Sequence, residues 1–137
     1  MCAPRFRLRQ FMTTVEVNEK KWRQFCQQLE EFCRGALVKV QVKDGEGLER
    51  TVAHDVPLRR VELDDQSDAC NTRLVIEAGL ADQSPIRHVV LEPIHIRLKN
   101  SNGSGRYNRV QILAENGTTT MELHPGLSEA LLKALEL

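Results

Sequence analysis

Aromatic residues are scarce in this chain of 137 residues, which contains one Trp, one Tyr and four Phe. Proteins that bind single-stranded nucleic acid stack its bases on exposed rings, so the composition disfavours a base-stacking surface. A net charge is also lacking, because 19 basic side chains balance 19 acidic ones. Nucleic-acid-binding domains usually carry a basic face. The balance therefore argues against a dedicated nucleic-acid-binding protein, although it leaves room for a local basic patch.

Long apolar runs are missing as well, since none approaches the roughly 20 residues that a membrane helix needs. The N-terminal stretch MCAPRFRLRQFM lacks the apolar core of a secretory signal. The four cysteines, Cys2, Cys26, Cys33 and Cys70, form no CxxC pair. We therefore expect reduced thiols, a cytoplasmic location and no contact with membranes. A mitochondrial-type presequence is the alternative for the arginine-rich, acid-free start of the chain.

Recognised catalytic and cofactor-binding motifs do not occur in the sequence. Neither the phosphate-binding GxxxxGK[ST] pattern, nor GxGxxG, nor the nucleophile pattern GxSxG is present. The histidines and cysteines lack the spacing of a zinc site. These observations predict a non-enzymatic protein with no catalytic residue, no metal and no cofactor. An enzyme with an unrecognised site around His88, His95 or Cys70 is the alternative.

One segment has the periodicity of an amphipathic helix. It begins after Asn18, a favoured N-cap residue, and ends at Gly35, a favoured helix stop. Because its apolar residues recur at helical spacing, we expect the helix to pack on the domain's own sheet. The apolar stripe consists of Trp22, Phe25, Cys26, Leu29, Phe32 and Cys33.

After Gly35 the period changes to two, which predicts antiparallel strands. The run LVKVQVK is the first, and VPLRRVELDD is either a further strand or the bent continuation of LERTVAHDV. A long run, IRHVVLEPIHIRLK, is interrupted by Pro93. The segment RVQILAENGTTTMEL predicts a hairpin around Asn116-Gly117, a favoured type I′ turn pair. A short helix capped by Ser128 is expected at the C-terminus.

These elements predict an α+β fold. An N-terminal amphipathic helix would pack on a curled antiparallel sheet or small open β-barrel of five or six strands, followed by a short C-terminal helix. We expect three regions: an N-terminal arm over 1–16, a single α+β domain over 17–126 and the C-terminal helix over 127–137.

The stretch AHDVPLRRVELDD, residues 53–65, raises the question of RNA binding. From Val38 to Asp65 the order of alternating strand, Asp-Gly turn, strand and Asp-led strand resembles the first half of an Sm-like fold. That resemblance implies a strongly bent five-stranded barrel that assembles into rings and binds single-stranded RNA. It also implies that Asp55 matches the Asp of the family's first motif.

The sequence departs from the Sm-like pattern at the residues that would bind RNA. The family's base-contacting Asn falls near Arg59, and the glycine that lets the second strand bend falls near Arg50. The Arg-Gly pair of the second motif is missing, because Arg106 is followed by Tyr107 and Arg109 by Val110. The resemblance therefore implies the architecture and not the RNA pocket.

A second resemblance covers more of the chain, from about Val17 to Leu123. The chain is similar to a bacterial family of small soluble proteins that form a domain of unknown function. This resemblance implies a single α+β domain and brings no activity with it. The matching residues are Ala53, Asp55, Pro57, Leu58, His88, Pro93, Asn116 and Gly117.

The sequence thus favours a non-enzymatic protein-interaction or regulatory module, whose partner is another protein or a second copy of itself. The alternative is a nucleic-acid-binding small barrel of the Sm-like kind. Basic residues and one ring near loops are the candidate contacts for either a partner or a nucleic acid. These candidates are Arg59, Arg60, Arg106, Tyr107 and Arg109.

Overall fold

The computed structural model describes residues 13–65, 72–100, 107–127 and 129–135. A 3₁₀ turn, Glu19–Lys21, precedes the first α-helix. The elements in chain order are β1 (Thr13–Val17), α1 (Trp22–Cys33), β2 (Leu37–Asp44), β3 (Glu49–Asp65), β4 (Thr72–Ala78), β5 (Ile86–Leu91), β6 (Pro93–Asn100), β7 (Tyr107–Ala114), β8 (Gly117–Leu127) and α2 (Glu129–Ala134).

The α+β class with five or six strands, expected from the sequence, is wrong. The described residues form a mainly antiparallel β protein, whose 8-stranded sheet has the order β1-β6-β7-β8-β2-β3-β4-β5. One of the additional strands is β1, which lies largely in the segment assigned to the N-terminal arm. The other additional strand arises before Pro93, where the predicted strand IRHVVLEPIHIRLK is divided into β5 and β6. In this hydrogen-bond order the sheet is open, with β1 and β5 at its edges.

Strand β3 runs through both halves of the sheet. It pairs with β2 as far as Pro57 and with β4 from Leu58 onward. A bulge interrupts the β2 pairing near Asp55, whose φ of 52° is left-handed, a conformation that Asp adopts more readily than most residues. Since the proline has no N–H for the ladder, the strand changes partner at this point. Of the two sequence interpretations, the bent continuation is the one that the structure contains.

A second bend separates β5 from β6. Glu92 has a φ of 49° and donates its main-chain N–H to the Thr72 carbonyl at 2.9 Å. The chain therefore crosses between the two halves of the sheet twice, once within β3 and once between β5 and β6. The half formed by β4 and β5 returns toward β8, where His88 Nε2 lies 3.0 Å from Thr119 Oγ1.

The hydrophobic core lies inside this folded sheet and beneath α1. The helix buries Trp22, Phe25, Cys26, Leu29 and Cys33 against it. The prediction for Phe32 is wrong, because its side chain is 54% exposed. It lies at the margin of the apolar stripe in the last helical turn. The predicted cap at Asn18 belongs to the 3₁₀ turn, where Asn18 Oδ1 accepts the Lys20 N–H at 2.9 Å. The α-helix itself begins later, at Trp22, without a side-chain cap. It ends before Gly35, as the sequence predicts, and this glycine has a φ of +90°.

The β7–β8 hairpin is present, but its turn differs from the expected type I′ pair. Ala114 pairs with Gly117, so Glu115 and Asn116 are the turn residues. None of the three residues after Ala114 has a left-handed φ, which a type I′ turn requires. Gly117 is needed for a different reason: a Cβ there would lie 2.5 Å from the Lys43 carbonyl oxygen.

The last helix is shorter than the predicted segment 127–137, because Leu127 still belongs to β8. It packs near the start of α1, where Lys21 Nζ donates to the Leu135 carbonyl at 2.7 Å. None of the described helices is long and apolar enough to span a membrane.

Candidate functional site

A groove of about 490 Å³ separates α1 from the second half of β3. One wall is the polar side of the helix, and the other is the strand itself. We call it the α1–β3 groove. Its lining is Arg23, Cys26, Gln27, Glu30, Glu31, Arg34, Arg60, Val61, Glu62 and Leu63.

The groove exists because β2 and β3 separate. The last main-chain bonds on that side of β3 are Gly35 N–H to the Leu58 carbonyl, at 2.9 Å, and Leu58 N–H to the Ala36 carbonyl, at 2.8 Å. Beyond them, no described strand pairs with this edge of β3. An open edge presents main-chain donors and acceptors to a partner.

Glu30 occupies part of this edge. Its Oε1 accepts the Val61 N–H at 3.0 Å, while its Oε2 accepts from Arg34 Nη2 at 2.9 Å. Main-chain N–H groups two residues apart in a strand point to the same side. The Leu63 N–H therefore also points into the groove, and it has no hydrogen bond to any described residue on that side.

The groove carries both signs of charge. Three basic residues line it, Arg23, Arg34 and Arg60, together with three acidic ones. The guanidinium of Arg60 forms an ion pair with Glu62 on the same strand. The groove is therefore polar without a net charge.

The thiol that lines the groove is unsuited to nucleophilic chemistry. Burial raises the pKa of Cys26 to about 12. A thiolate is the reactive form of cysteine, so this side chain stays protonated at neutral pH.

The predicted binding residues are not brought together. Arg60 lines the α1–β3 groove, while Arg59 Nη1 donates to the Gln83 carbonyl at 3.4 Å. Tyr107 and Arg109 lie on β7, which β8 and β2 separate from β3 in the sheet. Arg106 lies outside the described residues.

Arg109 lies on the outer, polar face of the sheet. It pairs with Glu122 at 3.1 Å and lines a depression of about 460 Å³ that Lys43 and Glu49 also line. Acids accompany the basic groups here too. At neither the α1–β3 groove nor this depression do the predicted arginines lie among basic residues alone.

The histidines proposed for an unrecognised enzyme site face opposite sides of the sheet. His88 points inward to Thr119, whereas His95 Nδ1 lies 2.8 Å from Glu16 Oε2 on the outer face. Hydrogen bonds from Arg97 and then from His95 lower the pKa of Glu16. Cys70 lies outside the described residues. Within the part of the chain that is described, no group of three or more His, Cys, Asp or Glu side chains could hold a metal ion.

The sequence reasoning missed the open edge of β3 and the role of Glu30. The proline before VELDD was a signal that the strand changes its partner there. No local sequence pattern indicated the contact between Glu30 and Val61, because the two residues are 31 positions apart.

No protein-family model, no curated protein and no solved structure matches this chain. The resemblances to Sm-like proteins and to the bacterial family therefore stay predictions.

Proposed function

We propose that this protein is a non-enzymatic interaction module, and that it binds an extended segment of a partner protein along the α1–β3 groove. The observation that carries the proposal is the open edge of β3 beyond Leu58, which lies beside a groove of about 490 Å³. Addition of a strand to a sheet edge is a recurrent mode of peptide recognition.

The geometry defines how the partner segment would bind. The Leu63 N–H would donate to a carbonyl of the segment, and the outward carbonyls of Val61 and Leu63 would accept from it. Glu30 already holds the Val61 N–H. In the free protein, this bond therefore reduces the free-energy cost of leaving main-chain donors of the edge unpaired.

The walls of the groove would select among segments. Side chains of an added strand alternate between the two faces of the sheet, so some would lie beside α1. Because Glu62 and Arg60 already neutralise one another, we expect selection by the order of charges along the segment rather than by its net charge.

The test uses peptides selected from a random-sequence display library on the intact chain. Their affinities are then compared for wild type, Leu63→Pro and Leu63→Ala. The proline removes the outward N–H without removing a hydrogen bond to β4. The alanine variant also loses the leucine side chain but keeps the N–H, so it is the matched control. One main-chain hydrogen bond contributes about 1 kcal/mol, so we expect Leu63→Pro to bind at least about fivefold more weakly than Leu63→Ala.

Thermal melts of both variants establish that each is folded. Equal affinity of the two variants for every selected peptide would contradict recognition through the edge. Amide shifts on peptide binding should centre on Val61 and Leu63, and shifts centred elsewhere would contradict the proposed groove.

We further infer a reducing, cytoplasmic environment. In support of this, Cys26 and Cys33 are free thiols in the core, and disulfides are rare in such compartments.

A further inference from the structure

A second cavity, of about 380 Å³, lies where β5 meets the ends of the β2–β3 and β7–β8 hairpins. It shares no lining residue with the α1–β3 groove, because neither the helix nor the second half of β3 lines it. We call it the His88 cleft. Its polar lining includes Asp44, Arg50, His88 and Thr119, and its apolar lining includes Val42 and Leu91.

We propose that the His88 cleft binds a small organic carboxylate, with its charged group on Arg50 and His88 and its apolar body against Val42 and Leu91. A cavity with apolar walls and a few convergent polar groups is the usual form of a small-molecule site.

Arg50 supplies the positive charge. It lies on β3 opposite Val42, and no described residue forms an ion pair with it. Asp44, the acid that lines the cleft, is engaged in the adjacent turn, where its Oδ1 accepts the N–H groups of Glu46 and Leu48 at 2.9 and 3.0 Å. The guanidinium is thus available to a carboxylate, for which its planar donors are well suited.

His88 supplies a hydrogen-bond donor. Burial, followed by the charge of Arg50, lowers the pKa of this histidine, so the ring is neutral at pH 7. A neutral imidazole has one donor and one acceptor nitrogen. When the Thr119 hydroxyl donates to Nε2 across 3.0 Å, the proton lies on Nδ1, and that nitrogen is left for a ligand.

The lining also selects the class of anion. Asp44 lies in the same cleft as Arg50 and His88, and these three are its titratable groups. Because the cleft contains one guanidinium and also one carboxylate, although the two do not form an ion pair, it favours a single negative charge over the two charges of phosphate. The apolar walls favour a ligand with a hydrocarbon part, which inorganic anions lack.

Binding should change the titration of His88. A carboxylate beside Arg50 offsets the charge that lowers the histidine's pKa. The bound protein should therefore show a higher His88 pKa than the free protein, and binding should strengthen as the pH falls toward that value.

The experiment is a titration of the full chain with sodium benzoate, followed by the ring-nitrogen and amide signals of His88 and Thr119. Inorganic phosphate is the second probe. Benzoate should give saturable shifts at both residues and should bind more tightly than phosphate. Arg50→Gln should weaken benzoate binding by about tenfold, because it removes a charge-assisted contact.

Arg59→Gln is the matched control, since that arginine does not line the cleft, and it should leave benzoate binding unchanged. Unsaturable shifts up to the solubility limit of benzoate would overturn the proposal. So would phosphate binding as tightly as benzoate, or equal binding by wild type and Arg50→Gln. This cleft is separate from the α1–β3 groove, so either proposal can fail without the other.

Discussion

The Oε1 atom of Glu30 lies 3.0 Å from the main-chain nitrogen of Val61, and this contact joins α1 to the open edge of β3. The carboxylate takes the place that a carbonyl of a neighbouring strand would fill. It therefore satisfies an edge donor without extending the sheet. The same group binds Arg34 one helical turn further on.

Glu30→Ala should lower the free energy of unfolding by about 1–2 kcal/mol, because a charge-assisted bond is lost and its donor is left unpaired. Glu30→Gln should cost less, since it keeps an oxygen acceptor. Urea unfolding measures both. Glu31→Ala, a change at an exposed neighbour, is the control. If it unfolded at the same urea concentration as Glu30→Ala, the bond to Val61 would contribute nothing.

Gly117→Ala should destabilise the protein by about 1–3 kcal/mol, because the added methyl forces the backbone of β8 away from β2. The nearest atom, the Lys43 carbonyl oxygen, would lie at 2.5 Å and belongs to the backbone, which cannot rotate aside. Gly45→Ala is the matched control in the neighbouring turn, where the nearest atom is at 4.0 Å. Equal melting temperatures of the two variants would show that β2 and β8 are not this close.

The free energy of unfolding should fall as the pH is lowered from about 8 to about 5. His88 has a folded-state pKa below its ordinary value of 6.5. Between the two values the unfolded chain binds more protons than the folded chain, so acid favours unfolding. Well above pH 6.5 the ring is neutral in both the folded and the unfolded state, so His88 no longer makes the stability depend on pH.

His88→Gln should reduce the slope of stability against pH in that range. His95→Gln is the control, because that ring lies on the outer face beside Glu16. An unchanged slope in His88→Gln, measured by urea unfolding at each pH, would contradict the assignment of this histidine.

Cys26 and Cys33 should resist alkylation by iodoacetamide in the folded protein. Burial raises their pKa values to about 12 and about 11, and only the thiolate reacts. Mass-spectrometric mapping of the modified residues should find both thiols free in buffer and both alkylated in urea. Rapid native labelling of either would contradict its burial.

The periodic elements could be predicted from the sequence, because periodicity depends on neighbouring residues. The stripe that contains Trp22 and Leu29 predicted α1, and alternation predicted the strands around Val40 and Ile112. The fold class could not be predicted in the same way. The short strand β1 gains its stability from pairing with β6, 79 or more residues away, and it has no strong local pattern.

The candidate sites were harder to predict than the elements. The residues singled out, Arg60 among them, were chosen for charge and proximity to loops. The α1–β3 groove depends instead on where β3 loses its neighbour, and the His88 cleft depends on the return of β5 toward Thr119. Both are products of long-range pairing, which a local pattern does not contain.

The central position of β8 has a consequence for biosynthesis. This strand is the last of those described, and yet it lies between β7 and β2, with Val40 opposite Met121. Pairings between residues so distant in sequence form slowly, because a long loop must close first. In this strand order the sheet therefore remains divided until β8 has been synthesised, and β2 keeps an unpaired edge throughout that time.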